Sequence, residues 1–283
     1  MSLTRSGLHK RYYKKIRTME KPNTLEQPFV FAVISGKGGV GKSMASVNTA
    51  TMLNQLGYKV ALLDADLGLA NCATLLNEPV SATVSNWIQG NCGLDDLPYY
   101  SSGITLVTGA NEPGQNRFDT DLFMDALDQV VAYLKDDHDF IIIDTPAGAG
   151  DMALWALDTS DVGVLVLVDE PTAISDVYRL CKYVFNIDPA YRFASIVNYA
   201  ENEETAENTY ERFNTILTYF LQKNTNYLGF IPASDRIRES VQQQKPLIHL
   251  ETEPELLKEF EFIAQNIMAY AQRDEKATLK TVY

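Results

Sequence analysis

Residues 36–43 combine glycines, two lysines and a serine at a spacing that could bind a chain of phosphates. They follow a short apolar run and come directly before a stretch with helical spacing. In the pattern GxxxxGK[ST], the glycines let backbone amides turn toward the phosphates, and the lysine and hydroxyl serve the β- and γ-phosphates and Mg²⁺. The predicted phosphate-binding loop therefore consists of Gly36, Lys37, Gly38, Gly39, Val40, Gly41, Lys42 and Ser43.

The same glycines also fit the dinucleotide pattern GxGxxG, at positions 36, 38 and 41. That pattern does not require a Lys-Ser pair, whereas a triphosphate and its Mg²⁺ do. We therefore interpret the loop as a nucleoside triphosphate site, with Lys42 as a catalytic group.

Acidic side chains follow two of the predicted strands. Asp64 comes directly after the run 60–63 and Asp66 follows two residues later, while Asp144 comes directly after the run 140–143. Ligands of open α/β sheets bind at the carboxyl ends of the strands, and a carboxylate on a rigid strand end can reach a Mg²⁺ shell. A helix N-cap is the alternative role for Asp144, because a Thr-Pro pair follows it.

These side chains must be positioned by an alternation of strands and helices. Seven short apolar runs are typical of strands buried on both faces of a sheet, and they lie at 30–34, 60–63, 104–107, 140–143, 162–168, 195–197 and 227–231. Helical spacing separates or follows them at 43–56, 119–134, 172–185, 207–221 and 253–273. The sequence predicts an α/β fold with a doubly wound, mostly parallel sheet and helices on both faces. We assign residues 1–27 to a basic arm and linker, 28–273 to the nucleotide-binding domain and 274–283 to a tail.

The charge of the chain is distributed unevenly. The net charge is −13, yet residues 1–24 hold seven Lys or Arg and one acid. The remainder carries −19, which disfavours binding of a DNA backbone, so we predict no specific nucleic acid partner. The three cysteines are scattered, and no apolar run is long enough to span a membrane. The first residues are basic and lack the apolar segment of a secretory signal. These features predict a cytoplasmic protein.

Several stretches resemble the deviant Walker A ATPases of the MinD/ParA group, which are P-loop NTPases of the SIMIBI type. Lys37 is similar to the additional signature lysine of that group. Residues 64–71, 144–148 and 169–176 resemble the FlhG/FleN branch, which controls flagellar number and placement. Residues 229–232 and 238–242 are similar to that branch too, and the resemblance covers roughly residues 28–250.

The resemblance implies a homodimer that holds ATP and Mg²⁺ between its subunits and hydrolyses the ATP. Lys37 would reach the phosphates bound by the partner subunit, so hydrolysis would depend on dimerisation. Asp66 would orient or activate the attacking water. Ser43, Asp64 and Asp144 would serve the metal ion.

The resemblance also assigns two nucleotide contacts outside the loop. The amide of Gly148 would sense the γ-phosphate, and Asn198 is in the position that recognises adenine. Ser234 stands where members of the branch usually have an aspartate, which follows here as Asp235. No cysteine follows Asp144 closely, which argues against an iron–sulfur cluster carrier of the same fold.

Both ends of the chain have amphipathic patterns. The C-terminal helix has an apolar stripe but several acids, so we expect it to pack on its own domain rather than on a membrane; the stripe is Leu256, Phe260, Ile263, Ile267 and Tyr270. The basic arm has the stripe Leu8, Tyr12, Ile16 and Met19 between Lys and Arg residues. It could bind a partner protein, an anionic membrane or its own acidic body. We expect a partner, because relatives use this end for one, although their Asp-Gln-Ala motif is missing here.

The predicted function is an ATP-hydrolysing dimerisation switch that regulates flagellar number, placement or gene expression through an assembly or transcription-regulator protein. A MinD/ParA-like positioning or partition ATPase and an adaptor that holds nucleotide with little turnover remain the alternatives. Attachment to the inner face of the cell membrane is a further open alternative.

Overall fold

The computed structural model describes residues 25–66, 70–110, 119–252 and 254–281, and for residues 273–281 it describes the backbone alone. The basic arm with its stripe, residues 1–24, lies outside the described residues. Residues 67–69 of the acidic stretch 64–71 also lie outside them.

Eight strands form one sheet in the order β3-β4-β2-β5-β1-β6-β7-β8. Their bounds are β1 Phe29–Ile34, β2 Val60–Asp64, β3 Tyr99–Ser101, β4 Ile104–Thr108, β5 Phe140–Asp144, β6 Val162–Leu167, β7 Phe193–Ala200 and β8 Asn226–Pro232. All neighbouring pairs are parallel except β3 with β4.

Nine α-helices cover the two faces of the sheet within the described residues. Their bounds are α1 Lys42–Gln55, α2 Asn71–Leu76, α3 Val84–Ile88, α4 Thr120–Lys135, α5 Asp151–Thr159, α6 Pro171–Ile187, α7 Glu203–Leu221, α8 Asp235–Gln243 and α9 Pro254–Thr281. One hydrophobic core lies under α1, α2 and α9, and the other lies under α3 to α7. The predicted doubly wound, mostly parallel α/β fold is confirmed.

Strand β1 shows why the apolar runs are continuous. Phe29, Phe31 and Val33 belong to one core, while Val30, Ala32 and Ile34 belong to the other. Successive side chains of a strand point to opposite faces, so a strand covered on both sides has no polar face.

The structure adds elements that the apolar runs did not predict. Strand β3 has only three residues and lies at the edge of the sheet, with Tyr100 81% exposed, so it lacks a buried run. Helices α2, α3, α5 and α8 have nine residues or fewer, too few for helical periodicity to stand out. Helix α9 continues to Thr281, past the predicted end near Arg273, because residues 273–281 contain no Gly or Pro that would end it.

The C-terminal stripe packs on the domain, as predicted. Leu256, Phe260, Ile263 and Ile267 are buried, and Tyr270 packs against the same core. Helix α9 contacts strand β8 and helix α1. No helix in the described part of the chain is long and apolar enough to span a bilayer.

Candidate functional site

The predicted phosphate loop joins the end of β1 to the start of α1. Gly39 and Gly41 have φ values of 77° and 87°, which favour glycine because other residues are strained there. Gly41 directly precedes α1 and no side chain caps the helix, so the backbone N–H groups of its first turn are free for an anion. Lys42 is buried at the base of the loop.

Two carboxyl groups meet beside the loop because of the sheet register. Asp64 and Asp144 are paired positions at the ends of the neighbouring parallel strands β2 and β5, and both are buried. The hydroxyl of Ser43 donates to Oδ2 of Asp144 over 2.6 Å, and the hydroxyl of Ser46 donates to Oδ1 over 2.8 Å. Asp144 therefore binds the first turn of α1 with both of its oxygens.

Burial makes the charged forms of this pair unfavourable. Desolvation, followed by the charge of Asp144, raises the pKa of Asp64 to about 8. Desolvation also raises the pKa of Asp144, although hydrogen bonds from Ser43 and Ser46 and the charge of Lys42 oppose that rise. A cation between the two carboxyl groups would relieve both effects.

Cys72 and Asp66 are attached to the same pair. The backbone N–H of Cys72 donates to Oδ2 of Asp64 over 2.9 Å, and its thiol lies 3.6 Å from Oδ2 of Asp144. The ligand atoms of Asp64, Cys72 and Asp144 all lie within 4.8 Å of one another. The backbone N–H of Asp66 donates to Oδ1 of Asp64 over 3.2 Å. The charge of the half-buried Asp66 carboxyl adds to the rise in the pKa of Asp64, so this carboxyl lies at the edge of the cluster.

Lys37 is paired with an acidic residue outside the carboxyl pair. Its ammonium forms an ion pair with Glu170, the residue before α6. Gly36 packs against the same helix, since a Cβ at Gly36 would lie 2.5 Å from Cβ of Asp176. The stretch 169–176 therefore borders the phosphate loop on the side of Lys37.

Asn198 fixes the end of the loop that leads into α1. Its Nδ2 donates to the carbonyl of Val40 over 2.7 Å, and its Oδ1 accepts from the N–H of Tyr199. A cavity of about 460 Å³ lies next to it, and Met44, Tyr199, Ser234 and Arg238 contribute to its lining. Ser234 caps α8, accepting from the N–H of Arg236 over 3.1 Å.

Gly148 closes the site over the end of β1. Its N–H donates to the carbonyl of Ser35 over 3.0 Å, and its φ of 91° requires glycine-like freedom. The segment that follows Asp144 thus lies directly on the segment that leads into the phosphate loop.

The structure brings the predicted metal residues Ser43, Asp64 and Asp144 together and places Asp66 beside them. Lys37 is bound at the start of the loop by Glu170, and Asn198 binds the end of the loop next to α1. The site also contains three side chains to which the sequence motifs gave no role; they are Ser46, Cys72 and Glu170. The place of Ser46 was predictable, because residues three apart on a helix share a face.

Comparison with known proteins agrees with this geometry. A family model described as ParA, NUBPL iron-transfer P-loop NTPase, matches residues 28–268. The antiactivator FleN of Pseudomonas aeruginosa is 32% identical over 250 residues, 88% of this chain and 89% of FleN. The flagellum site-determining protein YlxH of Helicobacter pylori is 32% identical over 76% of this chain and 74% of its own. The solved structure of MinD with Mg-ADP from Pyrococcus horikoshii OT3 has the same fold, with a TM-score of 0.69 at 24% identity over 85% of this chain and 96% of that one.

Proposed function

The chain belongs to the ParA/MinD family of P-loop NTPases, and from that premise we propose that it is an ATPase whose ATP-bound dimer controls flagellar number, placement or gene expression. Two relatives support the flagellar part, since one is the antiactivator FleN and the other a flagellum site-determining protein. Residues 64–71 and 169–176, which resemble the FlhG/FleN branch, support it as well.

The observation that carries the ATPase proposal is the buried carboxyl pair beside the phosphate loop. Two carboxyl groups and the hydroxyl of Ser43 are the oxygen ligands that Mg²⁺ prefers near phosphates. The raised pKa values of Asp64 and Asp144 fit a site that is complete only with a cation. When bound, Mg²⁺ would neutralise negative charge on the phosphates.

Each residue of the site has a proposed role that follows from its position. Lys42 and the amides of residues 36–43 bind the phosphates, and Ser43, Asp64 and Asp144 hold the metal ion. Asp66 orients the attacking water, because its backbone N–H is fixed on Asp64 while its carboxyl lies at the edge of the cluster. The amide of Gly148, which donates to the carbonyl of Ser35, would exchange that bond for the γ-phosphate.

Nucleotide selection is assigned to the end of the loop that Asn198 contacts. Asn198 borders the base, and the cavity of about 460 Å³ beside it is large enough for a purine.

Dimerisation is proposed to act through Lys37. In the single chain its ammonium is neutralised by Glu170 at the surface. In the dimer it would exchange this exposed partner for the phosphates of the partner subunit, which stabilises the charge that develops during hydrolysis. ATP would then shift the balance between monomer and dimer.

The proposed working unit is residues 28–273, with residues 1–27 as a separate basic arm. Its partner would be a flagellar assembly or transcription-regulator protein rather than nucleic acid, given the −19 charge outside residues 1–24. We place it in the cytoplasm.

The ATPase proposal is tested by measuring ATP binding and phosphate release on the same preparations of the chain and its variants. Lys42→Ala should abolish binding, whereas Asp66→Ala should retain binding and lose hydrolysis. Glu211→Ala, at an exposed acid on α7, is the control that should behave like the unmodified chain. Tight binding without hydrolysis by the unmodified dimer would instead support an adaptor.

Flagellar counts in the native host test the biological part. Loss of the chain should change flagellar number or position, and the Lys42→Ala variant should fail to restore it. An unchanged flagellar pattern after loss of the chain would contradict the flagellar role while leaving the ATPase proposal intact.

A further inference from the structure

A groove with an apolar floor and an acidic rim runs along α5 between α4 and α6. Its volume is about 640 Å³. Its apolar lining includes Met124, Leu154, Trp155, Tyr183 and Ile187. Its acidic lining consists of Asp121, Asp151, Asp158 and Asp188, and no described lining residue is Lys or Arg. We call this feature the acidic groove.

The acidic groove leaves large apolar side chains exposed to solvent. Ile187 is 68% exposed and Tyr183 is 49% exposed, although both flank the buried Val184 and Trp155. All four aspartates of the rim are exposed. A ligand with an apolar stripe between positive charges would bury the exposed apolar side chains and pair with the aspartates of the rim.

The N-terminal segment of the same chain has that composition. Its stripe Leu8, Tyr12, Ile16 and Met19 recurs at helical spacing, and five Lys or Arg residues lie between positions 10 and 17. As a helix, residues 8–19 would span about 18 Å, close to the roughly 14 Å of the nine-residue helix α5. Residues 8–19 therefore match the acidic groove in the sign of their charge, in the spacing of their apolar side chains and in their length.

The strand that follows the segment begins near one end of the groove. The backbone N–H of Val30, at the start of β1, donates to Asp161 over 2.8 Å. Asp161 is three residues after Asp158 of the rim, and the Tyr191 hydroxyl of the lining donates to the carbonyl of Leu157. Residues 25–29 are held in the structure, and Leu25 packs against the core under α1, α2 and α9, on the other face of the sheet. The six residues from Met19 to Leu25 can extend up to about 20 Å, and they would have to carry the segment past the start of β1 to the face that bears the groove.

We propose that the acidic groove binds residues 8–19 of the same chain. The tether favours this occupant over free proteins, because a short linker holds the segment at an effective concentration in the millimolar range. From the sequence alone we expected this arm to bind a partner protein, and the acidic groove is the observation that favours the chain's own body. A partner or membrane that needs the arm must then compete with the groove.

Zero-length cross-linking of the full chain tests the proposal. A carbodiimide joins a lysine amine to a carboxyl group only when the two are in contact, and peptide mass spectrometry identifies the pairs. We expect Lys10, Lys14 or Lys15 to be linked to Asp158, Asp188 or their neighbours on the rim. High salt should lower the yield severalfold, since the Debye length falls from about 10 Å at 0.1 M to about 3 Å at 1 M.

Matched substitutions separate docking from general attraction. Ile187→Ser combined with Tyr183→Ser should lower the yield at least about tenfold, because both remove apolar contact without adding a carboxyl group. Tyr219→Ser, at an 80% exposed tyrosine on α7, should leave the yield unchanged. Thermal unfolding of each variant establishes that the fold is retained.

An equal mixture of ¹⁵N-labelled and unlabelled chain determines which molecule supplies the arm. Cross-links confined to pairs of equal label support docking within one chain. Pairs of mixed label would overturn the proposal in favour of a second copy. Arm lysines linked to acids outside the groove, or linked to none, would overturn it as well.

Discussion

Replacing either of two glycines in the phosphate loop by alanine provides a paired test of how the loop is built. Gly39 and Gly41 both have positive φ values, 77° and 87°. A Cβ at Gly39 would meet nothing within 4 Å, whereas a Cβ at Gly41 would collide with Nδ2 of Asn198 and lie 3.3 Å from the Tyr199 hydroxyl. The two variants therefore share the backbone cost and differ in the side-chain clash.

The backbone cost is small in both variants. A left-handed conformation costs an alanine about 1–2 kcal/mol, and the lower entropy of the unfolded chain returns about 0.4–1 kcal/mol. Gly39→Ala should therefore lower the free energy of unfolding by about 1 kcal/mol.

Gly41→Ala must also displace the buried amide of Asn198. This breaks its 2.7 Å hydrogen bond to the carbonyl of Val40 and strands a buried polar group, at a further cost of about 1–3 kcal/mol. The expected total for Gly41→Ala is about 2–4 kcal/mol.

Urea unfolding without nucleotide measures both values, and the Asn198→Ala background identifies their cause. Once the Asn198 amide is removed, Gly41→Ala should lower the free energy of unfolding by no more than Gly39→Ala does. The two sites, Gly41 and Asn198, should therefore show a coupling energy of about 1–3 kcal/mol. Equal costs for the two glycine variants in the unmodified chain would refute the clash. A Gly41→Ala cost that persists in the Asn198→Ala background would place its cause elsewhere in the loop.

The remaining predictions concern the carboxyl pair and the dimer. Because the pKa of Asp64 is raised to about 8, the folded chain keeps a proton that the unfolded chain loses near pH 4. The free energy of unfolding without metal should thus fall as pH rises from about 5 to 8; Asp64→Asn should flatten this dependence in urea titrations, and an unchanged slope would contradict it. Mg²⁺ at about 100 times its Kd should add about 2.7 kcal/mol to the unfolding free energy, and chelation or Asp144→Asn should remove most of that gain in thermal scans. In light scattering with ATP, Asp66→Ala should remain dimeric while Lys37→Ala should be monomeric, and masses that ignore nucleotide in both would rule out the sandwich dimer.

The sequence predicted those parts of the fold that depend on continuous burial. The runs that became β1, β2 and β5 are apolar throughout because helices cover both faces. Strand β3 was missed because three residues at a sheet edge, with Tyr100 exposed, carry no such signal. The short helix α5 was missed for a related reason, since nine residues after a glycine-rich turn give little more than two turns of periodicity.

The candidate site also has a part that the sequence could predict and a part that it could not. Ser43, Asp64 and Asp144 could be grouped from the sequence, because strand ends of a parallel sheet share one edge. The contacts of Lys37 with Glu170 and of Asn198 with Val40 could not, since they join segments 133 and 158 residues apart. Such contacts depend on how loops fold over the sheet, for which the local sequence has no periodic signal.

Asp144 connects the parts of the site that the proposed switch requires to act together. Its two oxygens hold Ser43 and Ser46, so the first turn of α1 is attached to the end of β5. Asp64, its neighbour in the adjacent strand, holds the backbone of Asp66. A change of charge at the pair is therefore felt at the start of α1 and at Asp66 through direct hydrogen bonds. The metal-binding and water-orienting roles proposed here thus rest on adjacent strand ends, and their relative positions are set by the sheet rather than by the loops that cover it.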